Sequence, residues 1–242
     1  MLLKKNNLLN QKFLKYWRWL DFQYLTIIIG LKRIKSSLNF TPLKILDVGA
    51  GEWNYRPYFL PPTSGARQKF QYITYDPYVP ADVKDLSTLA GQKFDLILVI
   101  EVLEHVADAG ALLDQLRPFL ANEGVIIIST PFAARLHYCP EDYGRFTKAG
   151  LSLLAMHHEF TITKLFYRGH TLQTLANKMI YFFGQGLLRF NGLWPAYFIL
   201  GLLALPLFIP LLITSYLCLL LPASALNQDD PLGLMAVLKK KT

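Results

Sequence analysis

Residues 43–51, LKILDVGAG, constrain the fold more than any other stretch of this chain. A short apolar strand there delivers an acidic residue, Asp47, and two glycines, Gly49 and Gly51, into the turn that follows. Glycine takes backbone angles closed to other residues, and without a Cβ it lets a ligand approach the main chain. Asp47 falls at the carboxyl end of the strand, where open α/β sheets bind their ligands. A strand followed by GxG is a weak signal alone. Here a second strand, residues 70–76 (FQYITYD), ends in another acid, Asp76, 25 positions beyond Gly51. A carboxylate at that distance suits a ribose diol.

Strands and helices alternate along the rest of the chain. A short helix is expected after Gly51, with Pro57 in its first turn, then a short strand at 82–84 leading to Asp85 and a fourth strand at 94–100. Leu112, Leu113, Leu116 and Leu120 recur at helical spacing and predict a helix near 109–120. A fifth strand is expected at 125–130, a helix capped by Thr147 and running to about His158, a sixth strand at 160–166 and a last one near 231–239. This order predicts an α/β, doubly wound, mostly parallel seven-stranded sheet. Only residues 77–81 separate the second and third strands, fewer than the dozen or so of a parallel crossover, so the third strand is a stub or its helix is absent.

With the fourth strand running on into EVLEHV at 101–106, the chain resembles the class I S-adenosylmethionine-dependent methyltransferases, and within them the small type 11 group. The matching pieces are LDVGAG, Asp76, Asp85-Leu86, FDLILVIEVLEHV, NEGVIIISTPF ending at Phe132, and HYCPEDYGRFT at 137–147, in family order. They cover roughly residues 42–169, with the last strand resuming near Asp230 and, by the resemblance, inserting antiparallel beside the sixth.

The resemblance implies S-adenosylmethionine as cofactor and a site made of Asp47, Gly49, Ala50, Gly51, Asp76, Pro77, Asp85, Leu86 and Glu101. The backbone at 49–51 would pass the methionine portion, Asp47 would meet its amino group, Asp76 the ribose hydroxyls, and Asp85 and Leu86 the adenine. Glu52-Trp53 departs from the commoner small residue after GxG. The sulfonium carries an activated methyl group, so the protein's main task is holding the acceptor in near-attack position. A hydroxyl acceptor also needs a base, for which His137 and His105 are candidates. His137 lies in a polar cluster with Tyr138, Asp142, Tyr143 and Arg145; His105 alternatively orders a helix start. Arg145 either binds an anionic group of the acceptor or pairs with Asp142.

Charge and hydropathy are unevenly placed. The first 40 residues hold eight Lys and Arg against Asp21 alone, or +7 of the total +8, interleaved with aromatic and leucine residues. This pattern predicts interfacial helices drawn to anionic lipid, in preference to nucleic acid. Residues 191–228 contain no charged residue and exceed the roughly 20 residues needed to span a bilayer. As an insertion between two neighbouring strands, this run must begin and end on one side of a membrane. Pro206 and Pro210 divide it into halves, favouring a re-entrant hairpin or interfacial helices. A buried helical subdomain or a dimer interface is the alternative. Cys139 and Cys218 lie in unrelated contexts, His157-His158 beside Glu159 reads as a helix end, and no metal site is expected.

The expected organisation is a basic helical arm at 1–40, a methyltransferase core at 41–170, an amphipathic and hydrophobic helical insertion at 171–228, and the last core strand with a basic tail at 229–242. The expected function is methyl transfer at the cytoplasmic membrane surface, with a lipid-linked saccharide or other lipid-associated molecule as acceptor. The alternatives are an NAD(P)-dependent oxidoreductase, disfavoured because GAGEWN lacks the third glycine of GxGxxG, and a noncatalytic membrane scaffold. The oligomeric state is open.

Overall fold

The computed structural model describes residues 20–51, 55–137, 140–188, 194–221 and 227–241. These residues form a six-stranded sheet in the order β2-β1-β3-β4-β6-β5. The strands are β1 (Lys44–Val48), β2 (Gln71–Tyr75), β3 (Phe94–Ile100), β4 (Leu120–Pro131), β5 (Phe160–Arg168) and β6 (Gly233–Lys240). β1 runs parallel to β2, with Asp47 opposite Thr74, and parallel to β3, with Asp47 opposite Leu98. The chain leaves β1 toward β2 and then crosses back to β3, so strand order reverses at β1. Ligands of such sheets bind at this switch point, outside the carboxyl ends of the strands.

Local chemistry sets the element ends. Asp95 receives the backbone N–H groups of Leu43 and Lys44, each at 2.9 Å, and so fixes the start of β1. The β1–β2 crossover holds two short helices, α2 (Arg56–Phe59), with Pro57 in its first turn as expected, and α3 (Ser64–Lys69), capped by Thr63 Oγ1 accepting from Ala66 N. The helix expected near 109–120 is α4 (Ala109–Leu116), begun by Asp108 accepting from Ala111 N. It ends earlier than its leucine spacing implied because Pro118 tightens Arg117–Phe119 into a 3-10 turn, leaving Leu120 to open β4. Thr147 caps α5 (Lys148–His157), its Oγ1 accepting from Gly150 N at 3.0 Å.

The sheet has six strands where seven were expected. The stretch at 82–84 contributes an isolated parallel bridge between Tyr75 and Val83. Five intervening residues are too few for a helical crossover, and Asp82 instead folds back to accept the N–H and hydroxyl of Thr74. β6 is antiparallel to both neighbours. Lys241 N donates to Glu159 O and Thr163 Oγ1 to Val237 O, while Lys240 Nζ reaches Leu120 O and Phe132 N reaches Leu232 O.

The chain divides into two compact units. One comprises Ile28–Pro131, Pro140–Phe166 and Leu234–Thr242. Its core joins one face of the sheet to α4 and α5 through Leu46, Ile97, Val99, Leu113, Leu116, Ile126, Ile128 and Leu151. The other comprises Met1–Ile27, Phe132–Cys139 and Tyr167–Gly233. It contains α6 (Thr171–Leu188) and α7 (Trp194–Leu217). Phe22, Ala176 and Leu232 form its small core, and the buried Arg168 guanidinium donates to Gln23 O and Thr26 Oγ1.

Two expectations for the flanking segments change. Within the 1–40 arm, α1 (Phe22–Ser36) buries Ile28, Leu31 and Ile34, and a Cβ at Gly30 would lie 2.1 Å from the Met235 sulfur. This helix packs against the last strand through its apolar residues; residues 1–19 lie outside those described. In the apolar run, Pro206 and Pro210 do not divide the chain into halves, since α7 continues through both.

Candidate active site

The turn after β1 requires its glycines for different reasons. Gly49 has φ +65°, and a Cβ there would lie 2.6 Å from Val102 Cγ2. Its N–H donates to Tyr75 O at 2.7 Å, tying the turn to the end of β2. Gly51 has φ +57°, yet a Cβ there would meet nothing within 4 Å among the described residues. The space beside Gly51 is therefore open, and its conformation alone selects glycine. Ala50, between them, is buried.

Asp47 is 1% exposed and accepts a 2.5 Å hydrogen bond from the Tyr72 hydroxyl. Tyr55 N donates to that same hydroxyl at 3.0 Å. Burial pushes the Asp47 carboxyl up to about 7, against the lowering effect of the Tyr72 hydrogen bond. Burial and the adjacent Asp47 raise the Tyr72 hydroxyl well above its ordinary value, so it stays protonated and donates.

Asp76, at the end of β2, is also buried and binds main chain on both sides of the site. Its Oδ2 accepts from Gly51 N at 3.2 Å, and its Oδ1 accepts from Tyr78 N and Val79 N. Pro77 begins the exposed bend after it. The Asp85 carboxylate caps the 3-10 turn Leu86–Leu89, accepting from Ser87 N and Oγ, and these bonds hold it below the usual carboxylate range. Leu86 is buried beneath it.

Glu101, one residue beyond β3, is a non-glycine residue at φ +56°. Backbone strain of this kind, about 1–3 kcal/mol, persists only where the surroundings enforce it. Here Ser129 enforces it twice: its hydroxyl donates to Glu101 Oε1 at 2.8 Å, and its carbonyl accepts from Glu101 N at 2.8 Å. Next, Leu103–His105 forms a 3-10 turn that fully buries Glu104. His105 Nδ1 lies 2.5 Å from Glu141 O. A carbonyl only accepts, so Nδ1 carries the proton and Nε2, 3.7 Å from Glu104 Oε1, is the basic nitrogen of the neutral ring.

Of the candidates at 137–147, Arg145 and Asp142 pair in a two-pronged ion pair, with Nη1 on Oδ1 and Nη2 on Oδ2. Asp142 raises the Arg145 guanidinium further above its ordinary value, and the fields of Glu104 and Glu101 add to it. The intramolecular alternative for Arg145 is thus the one observed. Tyr143 is exposed at its side chain and donates its N–H to Glu104 O at 2.7 Å, holding this loop against the end of β3. His137 belongs to the other unit, with Nδ1 3.0 Å from Arg135 O. Tyr138 and the Glu52-Trp53 pair lie outside the described residues.

The structure brings Asp47, Gly49, Gly51 and Asp76 together at the switch point, and Glu101, His105, Asp142, Tyr143 and Arg145 around the end of β3. Two residues were missed in the sequence: Tyr72, which holds Asp47, and Ser129, which holds Glu101. Tyr72 sits opposite Ile45 and two positions before Thr74, which faces Asp47, so the strand period gave a signal for it. Ser129 pairs with Ile100, and only knowledge of the β3–β4 register reveals it.

The chain is similar in structure to the 1,6-didemethyltoxoflavin-N1-methyltransferase of Burkholderia thailandensis, with TM-score 0.52 and 16% identity over 89% of this chain and 78% of that one. It is similar to the plantazolicin methyltransferase BpumL, with TM-score 0.50 and 15% identity over 99% of this chain and 90% of that one. A coclaurine N-methyltransferase gives TM-score 0.51 and 12% identity over 88% and 72%. All three were solved with S-adenosylhomocysteine bound, and at these identities the likeness is one of fold. No curated protein matches the sequence. A family model described as a methyltransferase domain matches residues 16–179, more than half of the chain. With the fold and the acid-glycine turn already in place, this chain belongs to that methyltransferase-domain family.

Proposed function

We propose that the chain is an S-adenosylmethionine-dependent methyltransferase working at the cytoplasmic face of a membrane on a lipid-associated acceptor, such as a lipid-linked saccharide. The observation that carries the cofactor reading is Gly51, whose missing Cβ leaves open space while its N–H is fixed by the buried Asp76 carboxylate. A cationic, ribose-bearing cofactor fits this donor set, because two buried carboxylates lie at the rim of otherwise apolar strands. Gly49, Ala50 and Gly51 would line its methionine portion, with Asp47 at the amino group. Asp76 and Pro77 would lie at the ribose, and Asp85 and Leu86 at the adenine. When bound, the cofactor supplies an electrophilic methyl group on sulfonium.

This chain's own residues have the remaining tasks. Glu101, held by Ser129, presents a fixed carboxylate at the end of β3, and Arg145 and Tyr143 occupy the loop beside Glu104. For a hydroxyl acceptor, His137 or His105 would take the proton, each at Nε2 because Nδ1 faces a carbonyl. The membrane location is supported by the uncharged run at 191–228 and by the exposed leucines of α7. That location is the ground for proposing a lipid-associated acceptor.

Calorimetry with S-adenosylmethionine, S-adenosylhomocysteine and NADH tests the cofactor. Micromolar binding of the first two and none of NADH is expected, and Asp76→Ala should weaken it by about tenfold or more, a single charge-assisted contact being worth roughly 1.5–3 kcal/mol. Binding of none of the three would leave a noncatalytic scaffold. For the acceptor, lipid extracts from cells with and without the protein are compared for loss of a methyl group. Loss confined to water-soluble metabolites would remove the lipid acceptor.

A further inference from the structure

The two helices of the second unit have a polarity opposite to that of a helix pair in water. His170, just before α6, and Gln173, Thr174 and Asn177 fall at helical spacing on one face, and each is at most 5% exposed. Leu172, Leu175 and Phe182 point outward, 38%, 48% and 55% exposed. On α7 the reversal is stronger. Within the apolar stretch Phe198–Leu220 only Ser215 and Cys218 are buried, Ser215 fully.

The helices run antiparallel. Gln173 Nε2 donates to Ser215 O at 3.1 Å and Ser215 Oγ to Leu172 O at 3.3 Å, clasping the start of α6 to the end of α7. Thr171, which opens α6, donates through N and Oγ1 to Asn227, beyond α7. The chain therefore enters and leaves the pair at the same end.

What covers α7 follows from the breadth of its exposed face. At about 100° per residue, the exposed positions from Phe198 to Leu217 sweep an arc of roughly 220°. A second copy, or a soluble partner, lies against one side of a helix. Hydrocarbon surrounds it. The charges agree: α7 has none, while Lys178 on α6 pairs with Asp230 at 3.7 Å and Arg135 stacks on the Tyr181 ring at 4.4 Å. Each of these cations thus has a partner within the protein, and none lies on α7. Its 24 residues make α7 about 36 Å long, against a hydrocarbon core of roughly 30 Å.

We infer that α6 and α7 form a hairpin inserted into a bilayer from one side, with α7 exposing its apolar arc to hydrocarbon and the α6–α7 polar clasp internal. This rests on the membrane location proposed above and deepens it, while standing apart from cofactor binding.

The test uses the full chain mixed with vesicles of phosphatidylglycerol and phosphatidylethanolamine and floated through a density gradient. The wild type should float and resist carbonate extraction. Leu203→Glu combined with Leu207→Glu, both on the exposed arc, should lower vesicle partitioning by about a hundredfold or more while S-adenosylhomocysteine binding stays unchanged. Flotation of the double variant like the wild type, or a wild type that stays behind as a soluble oligomer, would overturn the inference. Single cysteines at Thr171 and Asn227, with Cys139 and Cys218 replaced by serine, should both react with an impermeant maleimide from the same side of sealed vesicles. Reaction from opposite sides would overturn the hairpin. Flotation without cofactor binding would sink the methyltransferase reading alone.

Discussion

The Tyr72 hydroxyl and the Asp47 carboxylate are joined by a 2.5 Å hydrogen bond at the switch point of the sheet, and Tyr55 N holds the same hydroxyl from behind. Asp47 thus retains a partner although water is excluded from it. Its carboxyl, pushed up to about 7 by burial, is largely protonated in the folded protein where it would already be ionised in the unfolded chain.

That difference has a defined sign. Between about pH 4 and pH 7 the folded state binds a proton at Asp47 that the unfolded state has lost, so this residue's contribution to stability falls as pH rises through that window. Above the folded value it is constant. Asp47→Asn should flatten the wild-type decline by up to about 4 kcal/mol, measured as urea midpoints from pH 4 to pH 8. Affinity for a cationic cofactor should rise over the same pH range as the carboxylate ionises. Tyr72→Phe, which removes the lowering hydrogen bond, should move that binding curve to higher pH. An unmoved curve would show that Tyr72 does not tune the site.

Gly49 and Gly51 should respond differently to the same substitution. Gly49→Ala places a methyl against Val102 at a positive φ, and thermal unfolding should report a loss of about 2–3 kcal/mol. Gly51→Ala meets no atom of the described residues, so only the backbone term of about 1 kcal/mol is expected. Its larger effect should be on cofactor affinity, read by calorimetry, because the methyl enters the open space. Equal affinity for wild type and Gly51→Ala would place the cofactor elsewhere.

Glu101 combines a strained backbone with a fixed carboxylate. In Glu101→Gly, relief of the strain and the added chain entropy offset one another, so stability should stay within about 1 kcal/mol of the wild type. Methyl transfer, followed by S-adenosylhomocysteine release, should fall about tenfold or more, equivalent to at least 1.4 kcal/mol of activation free energy. Full activity would make the strain a matter of chain geometry alone.

The Asp142–Arg145 pair predicts an asymmetric response. Asp142 has a buried side chain, so Arg145→Ala leaves a carboxylate without its cation, and a loss of about 3 kcal/mol is expected. The double replacement Asp142→Asn with Arg145→Gln should recover part of it in chemical denaturation. If Arg145→Ala is as stable as the wild type, the pair is dispensable for folding.

The sequence carried those parts of the fold that repeat a strong local pattern. The β1 turn, Pro57 and Thr147 lie where residue types alone placed them, because glycine at positive φ and a capping hydroxyl are local requirements, and the antiparallel last strand lies where the family resemblance put it. The third strand shrank to a bridge because loop length overrules a strand-like pattern. Pro206 and Pro210 misled in the same way, since α7 runs on through both although a local rule counts each as a break. At the site, Asp47 and Asp76 were legible by position, whereas Tyr72 and Ser129 act across strands and depend on register. Arg145 offered two roles to the sequence, and only side-chain geometry chose the pair with Asp142.

β6 follows the long apolar helix in the chain, yet it occupies an interior place in the sheet, between β4 and β5. During synthesis those two strands wait with open flanks until the apolar helix and then Gly233–Lys240 have emerged. Completion of the catalytic scaffold is thus the last event of the chain's making, and a chain stalled before Gly233 would leave the ribosome with its sheet unfinished.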